Sequence, residues 1–165
     1  MSGATGSNAF RGVLSRWASG VSVVTSNDNG MLYGLTVSSF SALSLDPPLV
    51  LVCLANTNRI VSMIEASGGF AVSILASDQQ QASAYFAQPG RLPTTEFTEI
   101  AGEWTPAGQP VIAGALAWIT CTTHALVRQG DHTICIGAVG DTRVDEGKAP
   151  LLYWNRAYRG IAGLD

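Results

Sequence analysis

The chain has 165 residues, of which 47% are hydrophobic and 13% are charged, and its formal net charge is −3. This length predicts one domain over residues 1–165, and we expect residues 1–8 to be disordered. The negative charge without a Lys/Arg cluster argues against nucleic acid, and the absence of a long apolar run or signal argues against a membrane partner and favours a cytoplasmic location.

The high apolar fraction leaves little polar surface for a monomer. We therefore expect part of the apolar surface to be buried against a second copy of the chain or against a ligand. The three cysteines, Cys53, Cys121 and Cys135, lie in apolar runs without the close spacing of a zinc site or a redox pair. With two histidines and no acidic cluster, no metal site is predicted.

The N-terminal part predicts a helix and a hairpin. Apolar residues at helical spacing between Phe10 and Trp17 predict an amphipathic helix that ends at Ser19-Gly20. Residues 21–25 are typical of a strand, and Asn27-Asp28-Asn29-Gly30 is a strong turn signal before the next strand.

The hairpin leads into a stretch, residues 34–48, in which hydroxyl side chains are spaced among apolar ones. The Pro47-Pro48 step interrupts strand pairing, so a new strand is expected over residues 49–54. Apolar and polar residues do not alternate in this run, which predicts that the strand is buried on both faces. A hydroxyl-rich segment beside a central strand is a candidate floor for a small-molecule site.

The polar loop at residues 55–59 precedes a predicted helix, and Thr57 or Asn58 is its expected N-cap. A helix N-terminus beside Arg59 is also suited to a phosphate group. From the residues alone, capping and phosphate binding remain alternatives.

The rest of the chain is strand-rich. We predict a strand over 70–75, a short helix from Asp78 to Phe86, and a long, weakly ordered connection over 88–109. Long antiparallel strands are predicted over 115–127 and 132–139, and a last strand over 151–154. The pattern is mainly β, and it predicts a small antiparallel barrel with a few short helices.

Few residues are suited to catalysis by the protein itself. His132 lies at a strand end beside Asp131, where it either bonds its own turn or serves a site, and His124 is expected to be structural. The chain has no nucleophile elbow and no G-x-G-x-x-G opening a helix. These absences favour a protein that binds and orients a cofactor.

Several motifs together resemble the short-chain flavin reductases of two-component flavin monooxygenases. The matching stretches keep their order: residues 20–25, 34–40, 44–50, 70–75, 110–117 with Cys121, and 130–134 with Gly137. The resemblance implies an FMN-binding split barrel, antiparallel and Greek-key-like, that forms a homodimer. It implies reduction of FAD or FMN by NADH or NADPH, with hydride passing directly from nicotinamide to flavin, and delivery of reduced flavin to a partner monooxygenase. Because no basic residue can be assigned to a 2′-phosphate, NADH is favoured.

The resemblance also assigns site residues. It implies that Thr36, Val37, Ser38 and Ser39 border the isoalloxazine and ribityl chain. Cys53, Leu54 and Ala55 follow the ribityl-phosphate path, and Asn56, Thr57, Asn58 and Arg59 meet the phosphate. His132 of Gly130-Asp131-His132 matches the histidine near the nicotinamide, and Phe86 and Tyr158 are candidate aromatic walls.

Two alternatives remain open at this level. One is a related split-barrel oxidase with tightly held FMN, against which the shortage of basic residues for a phosphorylated substrate counts. The other is a non-catalytic flavin- or haem-binding module. The Gly130-Asp131-His132 motif favours the reductase, because a storage protein needs no nicotinamide pocket.

Overall fold

A computed structural model describes residues 6–97 and 99–161 of the chain. Its helices are α1 (Ser7–Leu14), α2 (Arg59–Ser67) and α3 (Gln80–Phe86). Its strands, in chain order, are β1 (Ser19–Gly20), β2 (Ser22–Asp28), β3 (Met31–Val37), β4 (Ser41–Leu45), β5 (Pro48–Ala55), β6 (Gly69–Ile74), β7 (Gly102–Trp104), β8 (Pro110–Ile112), β9 (Ala117–Gln129), β10 (His132–Val144), β11 (Leu152–Trp154) and β12 (Ala157–Arg159).

Seven strands form one antiparallel sheet in the order β3-β2-β6-β9-β10-β5-β4. Side chains from β2 and β3 share one buried core with side chains from β5 near the other end of the sheet. The sheet therefore curls around this core as a barrel, and the apolar face of α2 packs into the same core through Ile60 and Ile64, both fully buried. The prediction of a mainly β, antiparallel fold with few short helices is confirmed.

The outer face of the barrel carries a second core. Val23 of β2 packs there with Phe86 of α3 and with Leu151, beside the small β1-β11-β12 sheet. Alternate residues of β2 thus serve different cores, since neighbouring side chains on a strand point to opposite faces. No helix among the described residues is both long and apolar enough to cross a bilayer.

Local signals in the sequence account for several element boundaries. The β2–β3 turn uses Asn29 and Gly30, both at positive φ. Asn58 caps α2 by accepting a hydrogen bond from the N–H of Ile60 at 3.1 Å, so one of the two expected N-caps is confirmed. Gly68 ends α2 in the left-handed conformation, which glycine adopts without steric cost.

Two predictions about elements are wrong. The first helix ends at Leu14 rather than at Ser19-Gly20. It begins at Ser7, inside the segment for which disorder was expected, and residues 1–5 of that segment lie outside the described part of the chain. The strand β5 is not buried on both faces, because burial alternates along it. It lies next to the edge strand β4, and only its inward face meets the core.

The long connection after α3 is held on the barrel and is not loose where it passes β3. Thr94 pairs with Leu32, and the Arg91 guanidinium donates to the carbonyl oxygen of Gly34 at 2.9 Å. The same guanidinium lies over the rings of Tyr85 and Phe86, at 4.3 and 4.6 Å from the ring centroids. These contacts tie the connection and α3 to the strand that carries the hydroxyl-rich stretch.

The contact between β3 and α3 is so close that only glycine fits at position 34. A Cβ added to Gly34 would lie 2.7 Å from the buried Phe86 ring. We expect Gly34→Ala to lower the free energy of unfolding by about 1–3 kcal/mol, measured by urea denaturation. Gly12→Ala is the control: a Cβ there meets nothing within 4 Å, and helix propensity predicts a gain of about 0.5–1 kcal/mol. Equal effects at the two positions would contradict the close packing.

Candidate functional site

The hydroxyl-rich stretch ends β3 at the outer core. The Thr36 hydroxyl donates to the carbonyl oxygen of Ser83 in α3 at 2.8 Å, and Val37 is buried in the barrel core. Ser38, the next residue, is exposed. The stretch therefore presents one committed hydroxyl and one free hydroxyl at the same edge of the barrel.

These residues border a hollow of about 160 Å³, which we call the tyrosine hollow. It is lined by Val21, Thr36, Val37, Ser38, Ser83, Ala87, Tyr153 and Tyr158. The Tyr158 hydroxyl donates to the Ser83 hydroxyl at 2.8 Å, and the rings of Tyr153 and Tyr158 pack edge to face with centroids 5.5 Å apart. Four of the expected site residues, Thr36, Val37, Ser38 and Tyr158, are thus brought together.

Sequence reasoning missed the other four lining residues of the tyrosine hollow, Val21, Ser83, Ala87 and Tyr153. Ser83 is almost fully buried and holds both Thr36 and Tyr158, yet no local pattern distinguishes it. Tyr153 faces Tyr158 across the β11–β12 hairpin, whose turn contains only Asn155 and Arg156. Recognising that two-residue turn would have paired the two tyrosines.

Ser39 lies beside the hollow but is used differently. Its hydroxyl accepts from the N–H of Cys53 at 3.1 Å and donates to the carbonyl oxygen of Cys53 at 2.8 Å. The side chain thus continues the β4–β5 ladder by one step, where the backbone of β4 has not yet begun. Cys53 itself is half-buried on the outer face of β5.

Two other expected site residues lie in cores. Leu54 is 1% exposed and packs inside the barrel, so its side chain does not reach the outer face of β5. Phe86 is 2% exposed in the outer core, under Arg91, and is not an aromatic wall. Strand alternation explains Leu54, because its neighbours Cys53 and Ala55 take the outer face.

The loop after β5 uses its two asparagines for structure. Asn56 donates to the Gly130 carbonyl oxygen at 3.2 Å and accepts from the Thr133 hydroxyl at 2.7 Å, while Asn58 caps α2. Thr57 and Arg59 are exposed. They line a cleft of about 220 Å³, the α2 cleft, together with Arg128, which pairs with Glu65 at 3.5 Å.

His132 lies at the same end of β5 as this loop. It pairs with Ala55 across the β5–β10 ladder, and its Nδ1 is 2.7 Å from a carboxylate oxygen of Asp131. The hydrogen bond and the charge of the His132 ring lower the pKa of Asp131. The His132 side chain is 49% exposed and does not line the tyrosine hollow of the same chain.

The residues of the tyrosine hollow fit a flat heteroaromatic ring with polar edges. Aliphatic side chains and two tyrosine rings form its walls, and hydroxyl groups stand at its rim. Among residues 6–97 and 99–161, no group of three or more His, Cys, Asp or Glu side chains is arranged to hold a metal ion. Fold and site together define an antiparallel split barrel with a hollow suited to a small aromatic ligand.

Comparison with known proteins identifies the family. The profile of the flavin reductase like domain matches residues 14–162. The chain is 38% identical to the reductase subunit HsaB of a flavin-dependent monooxygenase from Rhodococcus jostii, over 92% of this chain and 76% of that protein. It is 35% identical to an NADH-dependent flavin reductase of a Rhodococcus species, over 92% of this chain and 85% of that protein.

A solved structure agrees with this assignment. The NADH:FAD oxidoreductase SgcE6 of Streptomyces globisporus, in complex with NAD and FAD fragments, superposes with a TM-score of 0.88. It is 32% identical, and the match covers 94% of this chain and 93% of SgcE6. The chain therefore belongs to the flavin reductase family and is an oxidoreductase of that class.

The reactivity of the cysteines tests whether each thiol is buried or lies on an accessible face of its strand. Burial raises the pKa of Cys121 to about 12 and that of Cys135 to about 11, with the nearby Cys53 adding to the second shift. Both thiols stay protonated at pH 8, and a protonated, buried thiol reacts slowly. We expect the native protein to show at most one thiol, Cys53, that reacts readily with Ellman's reagent, and three after unfolding in urea. Rapid native labelling in Cys53→Ser would contradict the assignment.

Proposed function

We propose that the protein reduces FAD or FMN with NADH and supplies the reduced flavin to a separate monooxygenase. The observation that carries this proposal is the tyrosine hollow, where Thr36, Ser38 and Tyr158 meet around an apolar floor. Relatives named as reductase components of monooxygenases and as an NADH-dependent flavin reductase support the activity and the kind of partner.

In this proposal the tyrosine hollow holds the edge of the flavin ring. Flavin supplies the two-electron chemistry when it is bound, so the protein's tasks are binding and orientation. Because Thr36 donates its proton to Ser83, its oxygen is left to accept from a ring N–H. Ser38 is free to donate or accept, and Val37 together with Tyr158 excludes water from the ring edge.

The outer face of β5 supports a path for the ribityl chain. Cys53 and Ala55 share this face, which starts at the Ser39 hydroxyl and ends at the loop before α2. Thr57 and Arg59 are the free polar groups at its far end, since Asn56 and Asn58 serve the loop and the helix cap. A phosphate there would meet the positive end of α2 and the Arg59 guanidinium.

We infer that the protein works as a homodimer. His132 lies beside Ala55 at the α2 end of β5, and it does not line the tyrosine hollow of its own chain. A histidine from a second copy would therefore complete the nicotinamide site. Exposed apolar side chains, including Leu45 at 92% and Val144 at 67%, supply surface that a second copy would bury.

We further propose a single domain over residues 1–165 and a cytoplasmic location.

The first experiment is NADH oxidation followed at 340 nm, with purified protein and added FAD, FMN or riboflavin. Saturable turnover that depends on added flavin is the expected result, and it ranks the flavins. NADPH in place of NADH gives the nucleotide preference. Flavin binding by fluorescence titration without any turnover would overturn the reductase and favour a binding module.

His132→Ala should raise the KM for NADH or slow flavin reduction by about ten-fold, because the ring that shapes the nicotinamide pocket is lost. The Kd for flavin should stay near the wild-type value. Asp131→Asn is the matched variant, since it keeps the ring but removes the carboxylate that orients it at 2.7 Å. We expect a smaller loss in that variant; wild-type kinetics in both would exclude the role.

Arg59→Gln tests the opposite end of the proposed flavin site. It should weaken the binding of FMN by about ten-fold and leave the affinity for riboflavin unchanged, because only FMN carries the phosphate that this charge would meet. The comparison is Arg128→Gln, whose charge is already paired with Glu65 and whose effect should be smaller. Equal losses of FMN and riboflavin in Arg59→Gln would mean that residues 56–59 only end the strand and cap α2.

A further inference from the structure

A second and larger cleft adjoins the tyrosine hollow. It has a volume of about 640 Å³ and lies between α1 and the β11–β12 hairpin, so we call it the α1 cleft. Ser38 and Tyr153 line both spaces. The α1 cleft is therefore the space next to a ligand whose aromatic ring sits at the hollow.

The walls of the α1 cleft are fixed relative to each other. The indole N–H of Trp154 donates to the Arg16 carbonyl oxygen at 3.2 Å, and the N–H of Asn155 donates to the Ser15 carbonyl oxygen at 2.9 Å. These bonds join the hairpin turn to the end of α1. The cleft is therefore a built feature of the fold and does not depend on how a loose helix happens to lie.

The α1 cleft combines exposed aromatic rings with unpaired positive charge. Trp17 is 78% exposed and Trp154 is 40% exposed, and both line the cleft with Tyr153. The Arg11 and Arg156 side chains also line it, and neither forms an ion pair with any residue that the structure describes. No carboxylate is among the lining residues, although the chain as a whole has a net charge of −3.

Arg156 holds its position against backbone preference. It is the second residue of the two-residue hairpin turn and has φ of 63°, where glycine is the favoured residue. An arginine at this φ is strained, and strained residues cluster at functional sites. The position of Arg156 at the α1 cleft is therefore consistent with a role for its side chain.

We propose that the α1 cleft binds the adenosine diphosphate half of the nicotinamide dinucleotide, an inference that rests on the proposed reductase function. Adenine stacks on tryptophan or tyrosine rings, and a pyrophosphate is matched by arginine forks. FAD carries the same adenosine diphosphate group. However, its phosphates are assigned above to the α2 cleft at the far end of β5, and this leaves the α1 cleft to NADH.

Direct binding of ADP is the test, because it does not depend on turnover. We expect wild-type protein to bind ADP saturably in isothermal titration calorimetry, with quenching of tryptophan emission. Arg156→Gly should weaken the binding of ADP by about ten-fold, because one charge-assisted contact is lost. Its melting temperature should not fall, because glycine is favoured at that φ. Trp17→Ala removes a largely exposed ring and should weaken ADP without unfolding the protein.

Arg143→Gln is the matched control. Arg143 is an exposed arginine that pairs with Glu103 at 3.3 Å and does not line the cleft. Its ADP affinity should equal that of the wild type. Absence of saturable ADP binding to wild-type protein, or equal losses in Arg143→Gln and Arg156→Gly, would overturn the proposal.

Steady-state kinetics show whether the adenosine diphosphate group bound in the α1 cleft belongs to NADH or to FAD. They also test this inference separately from the proposed function. Arg156→Gly should raise the KM for NADH about ten-fold. The KM for reduced nicotinamide mononucleotide, which lacks the adenosine half, should not change. A rise in the KM for FAD but not for FMN would instead assign the cleft to FAD and overturn the NADH assignment. If wild-type protein bound ADP but oxidised no NADH with any flavin, the reductase function would fail and, with it, the NADH assignment, while the ADP site itself would stand.

Discussion

Packing of α2 into the curled sheet is the interaction on which the rest of the structure depends. Ile60 and Ile64 are fully buried among side chains from β2, β3, β5 and β6, and each contributes about 1.5–3 kcal/mol of hydrophobic stabilisation. Because α2 fills the interior, the inward face of β5 is closed to any ligand. Its outward face and the loop before α2 are the surfaces that remain for binding.

Two of the hydroxyl side chains expected at the site form hydrogen bonds within the protein, and this reduces the number of groups available to a ligand. Thr36 is tied to Ser83, and Ser39 to the backbone of Cys53, so each hydroxyl joins two elements that are far apart in the sequence. The side chains left for a ligand are fewer: Ser38 at the tyrosine hollow, Thr57 and Arg59 at the α2 cleft, and the arginines of the α1 cleft. Hydrogen bonding capacity, rather than residue type, decides which hydroxyls can serve.

The proposed sites have a consistent layout. The tyrosine hollow adjoins the α1 cleft at Ser38 and Tyr153, and the outer face of β5 leads away from Ser39 toward α2. Two dinucleotides meeting at the hollow would then diverge, which keeps their negative phosphates apart. A histidine supplied by a second subunit fits this layout, because His132 lies at the end of β5 that leads into α2 in its own chain.

The sequence by itself determined the local structure and the family: the turn at Asn29 and Gly30, the Asn58 cap, the antiparallel strand pattern and the ordered motifs of a flavin reductase. These depend on neighbouring residues or on motif order. Tertiary structure alone decided that Leu54 and Phe86 lie in cores, that Ser39 is committed to β5, and that Ser83 and Arg156 border the clefts. The physical reason is that burial and hydrogen-bond partners come from elements distant in the chain, as between Tyr158 and Ser83.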